Sequence, residues 1–468
     1  MQTKKLRLIA GTRIAAALSS VVLASHAIAF PSVFPTGVTK YMPDKAYNTY
    51  VIYDGRDGKT HLIDMNGNEV HTWNYTGFPS EIIDPALING QKGHAFLQVS
   101  STDLGAMHGT SAGAFHNKEI GEVDWDGKVV WRWGTQAPSG EAAQNHDWIK
   151  LPGGNVISLS TIRHAVPGFK NPKQAEQVLY EINPEGKIVW KWVASEHLKE
   201  MGFDDKAIEL IQSGYSNSGS SAGFLMINNV RRVGENKWFD GGDKRFAPDN
   251  LIFDSREGNV IGIIDKQTGK VVWHMGPTYD EKGRHPMARI LGDEKLPRPV
   301  DQISGQHDVH LIPKGLPGAG NLLVFDNQGP AGFPQVRSAM VRGSRVLEID
   351  PIKQEIVWQY RGTDSGRDAW TFDSAFISSA RRLPNGNTLI DEGMNGRFFQ
   401  ITPQGEIVWE YVSPNFADEP MAGKVVKANW AFRATPVPYD WVPDGTPHEE
   451  DPVTPPENSA FRIPVNKR

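Results

Sequence analysis

The chain has no cysteine in 468 residues. Disulfides, thiolate nucleophiles and zinc–cysteine sites are thereby excluded, so other side chains must hold the fold and carry any chemistry. It also lacks an excess of basic charge, since 49 Lys and Arg face 54 Asp and Glu for a net charge of −5. No global positive field draws in a polyanion, and no nucleic-acid partner is expected. Long apolar runs are missing once the N-terminus is passed. There, Lys4, Lys5, Arg7 and Arg13 precede an apolar stretch from Ile14 to Leu23 and the small-residue segment Ala27-Ile28-Ala29. This order has the form of a cleavable secretory signal over residues 1–29. It predicts a periplasmic or secreted protein beginning near Phe30, with no membrane span in the mature chain.

What the sequence does have is repetition. Six times a turn is followed by two apolar residues and a Trp. The copies end at Trp73, Trp131, Trp190, Trp273, Trp358 and Trp409, and most open on a Gly, as in Gly127-Lys128-Val129-Val130-Trp131. The Trp-to-Trp steps are 58, 59, 83, 85 and 51 residues, a blade spacing with insertions. Upstream of each phrase lies a second hairpin, seen in Leu151-Pro152-Gly153-Gly154-Asn155 and Leu383-Pro384-Asn385-Gly386-Asn387. Four strands per unit and six units predict an all-β, six-bladed β-propeller over residues 30–435. The first unit supplies only three strands, so a closing strand is expected from near residues 428–433. Residues 195–212 read as one amphipathic helix capped by Ser195, covering the channel mouth or a blade edge. Residues 277–306 read as a long polar loop, and residues 436–468 as a Pro-rich, acidic tail.

Inner strands of a propeller converge on its channel, so their first residues meet although distant in sequence. Counting back five positions from Leu151, Val233, Ile312 and Leu383 gives His146, Asn228, His307 and Ser378, which are expected to share one rim. Loops after the second strands add Ser160, Arg163 and His164 in one blade, Asp254, Ser255 and Arg256 in the next, then Asp326 and Asn327. Imidazole can attack a sulfuryl or phosphoryl centre or shuttle a proton, and Arg offers a permanent cationic fork for oxyanions. Each has a bland alternative. On a strand His307 and His310 face opposite ways, so one is a packing residue, and Arg163 or Arg256 can equally bridge blades as ion pairs. The segment Gly55-Arg56-Asp57-Gly58-Lys59-Thr60 imitates the end of a phosphate loop but lies in a hairpin turn.

The stretch from Gln306 to Pro313, the segment Gly320-Asn321-Leu322-Leu323-Val324-Phe325-Asp326-Asn327 and the Gly-x-Ile-Val-Trp turns resemble bacterial arylsulfotransferases that use no nucleotide donor. The resemblance covers about residues 45–415. It implies a periplasmic six-bladed propeller that moves a sulfuryl group from an aryl sulfate to a phenol through a sulfohistidine, without a cofactor. His307 matches the family's His-Asp motif and Arg256 its Ser-Arg element. Met226 stands where a family strand opens with a functional His, and no His occurs between Leu311 and His448, where the family's last blade carries its nucleophile. Blade register and resemblance together give His307, as nucleophile or acid/base, His146 as its partner, and Arg256 and Arg163 as clamps on the anion for catalytic candidates, with Asn228, His310, Asn327 and Ser378 around the substrate. Whether the nucleophile has moved to His146 or His307, or the scaffold serves another activity, stays open. The rivals are a quinone- or metal-dependent propeller oxidoreductase and a non-catalytic binding scaffold.

Overall fold

The computed structural model describes residues 28–29, 35–100, 117–214, 223–277, 303–333, 343–421 and 424–455. Its strands form six blades about a central channel, with antiparallel pairing throughout each blade. From the channel outward, blade 2 contains Glu81–Ile82, Ala95–Gln98, Ile120–Val123 and Val129–Trp133. Blade 3 contains Gln144–Lys150, Val156–His164, Gln174–Ile182 and Ile188–Val193, and blade 4 Ile227–Arg232, Leu251–Ser255, Val260–Ile264 and Val271–Met275. Blade 5 is His307–Leu311, Leu322–Asp326, Arg345–Asp350 and Glu355–Tyr360. Blade 6 is Ser379–Arg382, Thr388–Glu392, Arg397–Ile401 and Ile407–Val412.

Both chain ends close the ring. Blade 1 takes Tyr50–Asp54, Thr60–Ile63 and Glu69–Trp73 from the front of the chain, and its innermost strand is Ala434–Val437, paired with Tyr50–Asp54. That strand lies just beyond the expected 428–433, because residues 424–428 pair instead with Ala417–Met421 in a separate hairpin. Gly37–Tyr41 adds a fifth strand to the outside of blade 6, along Ile407–Val412. Pairing at both ends removes two unpaired strand edges.

The Trp repeat has a physical cause. Each blade donates an indole N–H to a backbone carbonyl in the outer turn of the next blade. Trp73 bonds Asp124 at 3.0 Å, Trp131 bonds Pro184 at 3.0 Å and Trp192 bonds Gly269 at 3.0 Å. Trp273 bonds Pro351 at 3.0 Å, Trp358 bonds Pro403 at 3.1 Å, and Trp409 returns to Met65 of blade 1 at 2.7 Å. The stitches therefore run round the whole ring, and apolar clusters fill the seams beneath them, as where Leu159 and Leu179 of blade 3 meet Val230 and Phe253 of blade 4. Counted from the outer turns, blade 1 carries His71 at the repeat position, and its Trp73 matches Trp133 and Trp192 two residues on.

The expected helix over 195–212 is two pieces. A 3₁₀ turn covers Ala194–His197, and an α-helix covers Asp205–Gln212 with the Asp204 side chain accepting from the Ala207 N–H at 2.8 Å. Gly202, at φ +85°, breaks the run between them, and Asp204 replaces Ser195 as the cap. Leu198, Met201 and Ile211 pack into the seam between blades 3 and 4. Most of the polar segment 277–306 lies outside the described residues. The chain after the closing strand runs back over blade 1, where Tyr50 donates to Thr446 O, and on to the fifth strand of blade 6, where Val453 bridges Tyr41.

Candidate functional site

The inner strands of blades 3, 4 and 5 each carry a register shift near their first residues, between Gln144 and Trp148, Ile227 and Asn229, and His307 and His310. Left-handed backbone accompanies them at His146 (φ +57°), Met226 (+45°) and Asp308 (+62°), and blade 6 has Ile377 (+57°) and Ser378 (+92°) at the matching point. Such residues each cost about 1–3 kcal/mol and collect where a site needs a side chain re-aimed. The rim is thus strained in four consecutive blades.

His146 and His307 both lie buried in this rim, each 2% exposed. His146 Nδ1 is 2.8 Å from Asn145 Oδ1, which can only accept, so Nδ1 carries the proton and the lone pair sits on Nε2. Its ring contacts Phe78 at 5.4 Å and Phe432 at 5.8 Å between centroids, and those two phenyl rings stack on each other at 4.0 Å. Burial first, and then the neighbouring His307, Arg433 and Arg256, hold its pKa well below the usual histidine value. His146 is therefore a neutral imidazole set against an aromatic wall, which Phe376, Met394 and Trp430 extend.

His307 is committed differently. Nδ1 donates to Asn327 Oδ1 at 2.7 Å, while Nε2 accepts the Ile377 backbone N–H at 3.1 Å. Burial and the nearby Arg256 take its pKa down to about 3. Asn327 in turn donates to Ser374 O at 2.6 Å and Ile377 O at 2.8 Å, so it positions His307 and clamps blade 5 to blade 6. Ser378 is a clasp too, accepting from Gly393 N–H at 2.9 Å and donating to Ser374 Oγ at 2.9 Å. Asn228 donates to Gln306 O at 2.9 Å, leaving its buried Oδ1 without a partner. Arg256 is buried beside this group, with Nη1 2.7 Å from Glu257 Oε1. Arg163 lies exposed towards the end of its long strand, paired across to Ala175, and the cations acting on His146 and His307 are Arg256 and Arg433 instead.

Next to the His rim the channel holds an ion network. Arg433, 1% exposed, reaches Glu81 of blade 2, Asp147 of blade 3 and Asp308 of blade 5, each at 3.1 Å. Arg231 pairs with Glu81, and Arg381 with Asp308 at 2.7 Å. His310 belongs to this network, its Nδ1 accepting from Arg381 at 2.8 Å, with its pKa lowered to about 3 by burial and that cation. Carboxylates also link successive blades: Asp147 accepts the Val230 N–H, Asp254 the Val309 N–H and Asp308 the Ala380 N–H, at 2.9, 3.1 and 3.2 Å. Sequence reasoning found His146, His307 and Arg256 through the repeat register. It missed Phe78, Phe432 and Arg433, which lie outside the repeated hairpins. Among the described residues no group of three or more His, Asp and Glu is arranged to hold a metal ion.

No functionally curated protein matches the sequence. Solved structures of low similarity include a protein of unknown function from Bacteroides caccae, 11% identical with TM-score 0.43, covering 84% of this chain and 99% of that one. Another is virginiamycin B lyase from Staphylococcus aureus, 12% identical with TM-score 0.34, covering 82% and 86%. The family model described as arylsulfotransferase (ASST) matches residues 100–415, from just after the second strand of blade 2 to just past the last strand of blade 6. On that match over more than half its length, the chain belongs to the arylsulfotransferase (ASST) family.

Proposed function

We propose that the protein transfers a sulfuryl group from an aryl sulfate to a phenolic acceptor, with His146 as the nucleophile. The observation that carries this reading is the neutral His146 imidazole held between aromatic rings and the buried Arg256 and Arg433. The Nε2 lone pair would form an N–S bond as the S–O bond to the aryl ring breaks, the electron pair leaving on the phenolate. The bound acceptor would then attack sulfur and release the imidazole, its phenolic proton passing through solvent to the phenolate released in the first step. Fixed cations stabilise the oxygens as charge develops on them, and the aromatic wall suits the planar donor. His307 acts as a positioning residue, because both of its ring nitrogens are already bonded, Nδ1 to Asn327 of its own blade and Nε2 to the Ile377 N–H at blade 6. Export to the periplasm or beyond fits the basic-then-apolar N-terminus and remains part of the proposal.

The test is release of 4-nitrophenolate from 4-nitrophenyl sulfate in the presence of phenol. Turnover by the wild type and its loss in His146→Asn support the reading. The Asn variant is chosen because Asn tolerates left-handed backbone. Absence of release across several aryl sulfates and pH values overturns it.

A further inference from the structure

At the seam between blades 1 and 2 lies a half-open groove of about 590 Å³, on the outer part of the blades and apart from the His rim. It exists where the repeat is broken. Five blades place Trp131, Trp190, Trp273, Trp358 and Trp409 four residues after the left-handed turn residue, a Gly or Gln354, and blade 1 places His71 four residues after Gly67. The smaller ring stacks on Trp125 at 3.8 Å and meets Trp73 edge-on at 4.3 Å, so it is rigidly held. Burial keeps the ring neutral, and it bonds the backbone of Trp125. Its Nε2 is buried without a partner.

A second polar group in the groove lining, contributed by blade 2, is also unmatched. Gln98 is 3% exposed, and neither its Oε1 nor its Nε2 has a hydrogen-bond partner. Leaving a whole side-chain amide and an imidazole nitrogen unmet in one groove is costly. The rest of the lining consists of aromatic rings, hydroxyls, the Asn74 amide and the Asp126 carboxylate, with no Lys or Arg among the described residues. An anion such as an aryl sulfate therefore finds no counter-charge here. A neutral ligand rich in hydroxyl groups fits: it can lay C–H surface on Tyr75 and Trp125, and a small shift of the His71 and Gln98 side chains, whose unmet atoms are closed to solvent in the free groove, lets it donate to His71 Nε2 and Gln98 Oε1 and accept from Gln98 Nε2.

We infer that the blade 1–blade 2 groove is a saccharide-binding site, built from His71, Gln98, Tyr75 and Trp125. It is independent of the transfer chemistry in the channel. The full-length protein is titrated with maltose, cellobiose and N,N′-diacetylchitobiose, following calorimetric heat and the fluorescence of the two groove tryptophans. Binding of at least one sugar by the wild type is expected. His71→Trp restores the repeat residue and fills the groove, and Gln98→Leu removes the amide. Each should weaken binding at least about tenfold, the loss expected when a hydrogen-bonding partner is removed. Gln98→Leu should meanwhile leave Tm unchanged or raise it, since no hydrogen bond of the empty protein is broken. Tyr75→Ala, at the half-buried edge, gives the same reading should either wall variant fail to fold. The inference is overturned if none of the three sugars binds, or if binding is unchanged in the variants that fold.

Discussion

His146 and His307 stand at matching positions in two blades, and their surroundings differ, since the His146 ring lies against Phe78 and Phe432 whereas His307 bonds Asn327 and Ile377. His307 has both nitrogens committed to its neighbours, so His307→Ala is expected to destabilise the fold by about 2–3 kcal/mol through the unpaired Asn327 and Ile377 groups. A urea titration checks this. His146→Asn is expected to keep the fold and lose transfer. Acid sensitivity follows from the same burial. His307 and His310 stay neutral in the fold down to about pH 3, whereas in the unfolded chain they take up protons below about 6.5. In that window the unfolded state binds more protons, so stability falls as pH drops, by up to about 1.4 kcal/mol per pH unit for each His. Asp54 opposes this. Burial pushes its carboxyl up to about 7, so it disfavours the fold increasingly as pH rises from about 4 to 7. His310→Gln should therefore show a shallower loss of stability than the wild type between pH 6 and pH 4, measured by denaturant midpoints.

The elements that recur were legible in the sequence because one physical contact recurs. Every seam uses an indole N–H to reach the next blade's turn, from the repeat Trp in four blades and from Trp73 and Trp192, two residues further along the strand, in blades 1 and 3. Trp273→Phe keeps the ring and removes the bond to Pro351, for an expected cost of about 1 kcal/mol by thermal or chemical melting. The phrase misled only at blade 1, where Trp73 reads as the repeat Trp although His71 occupies its place. Spacing cannot separate two candidates on one strand face without the pairing partner. The rim histidines were equally legible, since the inner hairpin turns fix their register. Phe78, Phe432 and Arg433 were not, because they sit in segments that occur once. Arg433 illustrates the loss: in sequence it is one Arg before a strand, and in the fold it neutralises carboxylates from three blades. Arg433→Met should cost about 3–5 kcal/mol, the penalty for leaving buried charges unpaired, and a denaturation curve reads it directly.

For the whole molecule, closure is what joins architecture to site. The strand Ala434–Val437 completes blade 1, and the residues immediately before it, Phe432 and Arg433, bring the aromatic wall and the central cation to the channel. The ring therefore cannot close without assembling this part of the rim. Removing the chain after Arg433 should abolish cooperative unfolding and expose the blades to limited proteolysis, since blade 1 then lacks its inner strand. The propeller itself is set by the repeat, whereas the site depends on strained, non-repeating backbone at its rim. The most direct test of the account is to trap the sulfuryl-enzyme by brief exposure to 4-nitrophenyl sulfate without acceptor, and to map the modified residue by mass spectrometry under alkaline conditions. The account predicts a sulfuryl group on His146 and none in His146→Asn; modification at His307 instead, or no modified enzyme during active turnover, would contradict it.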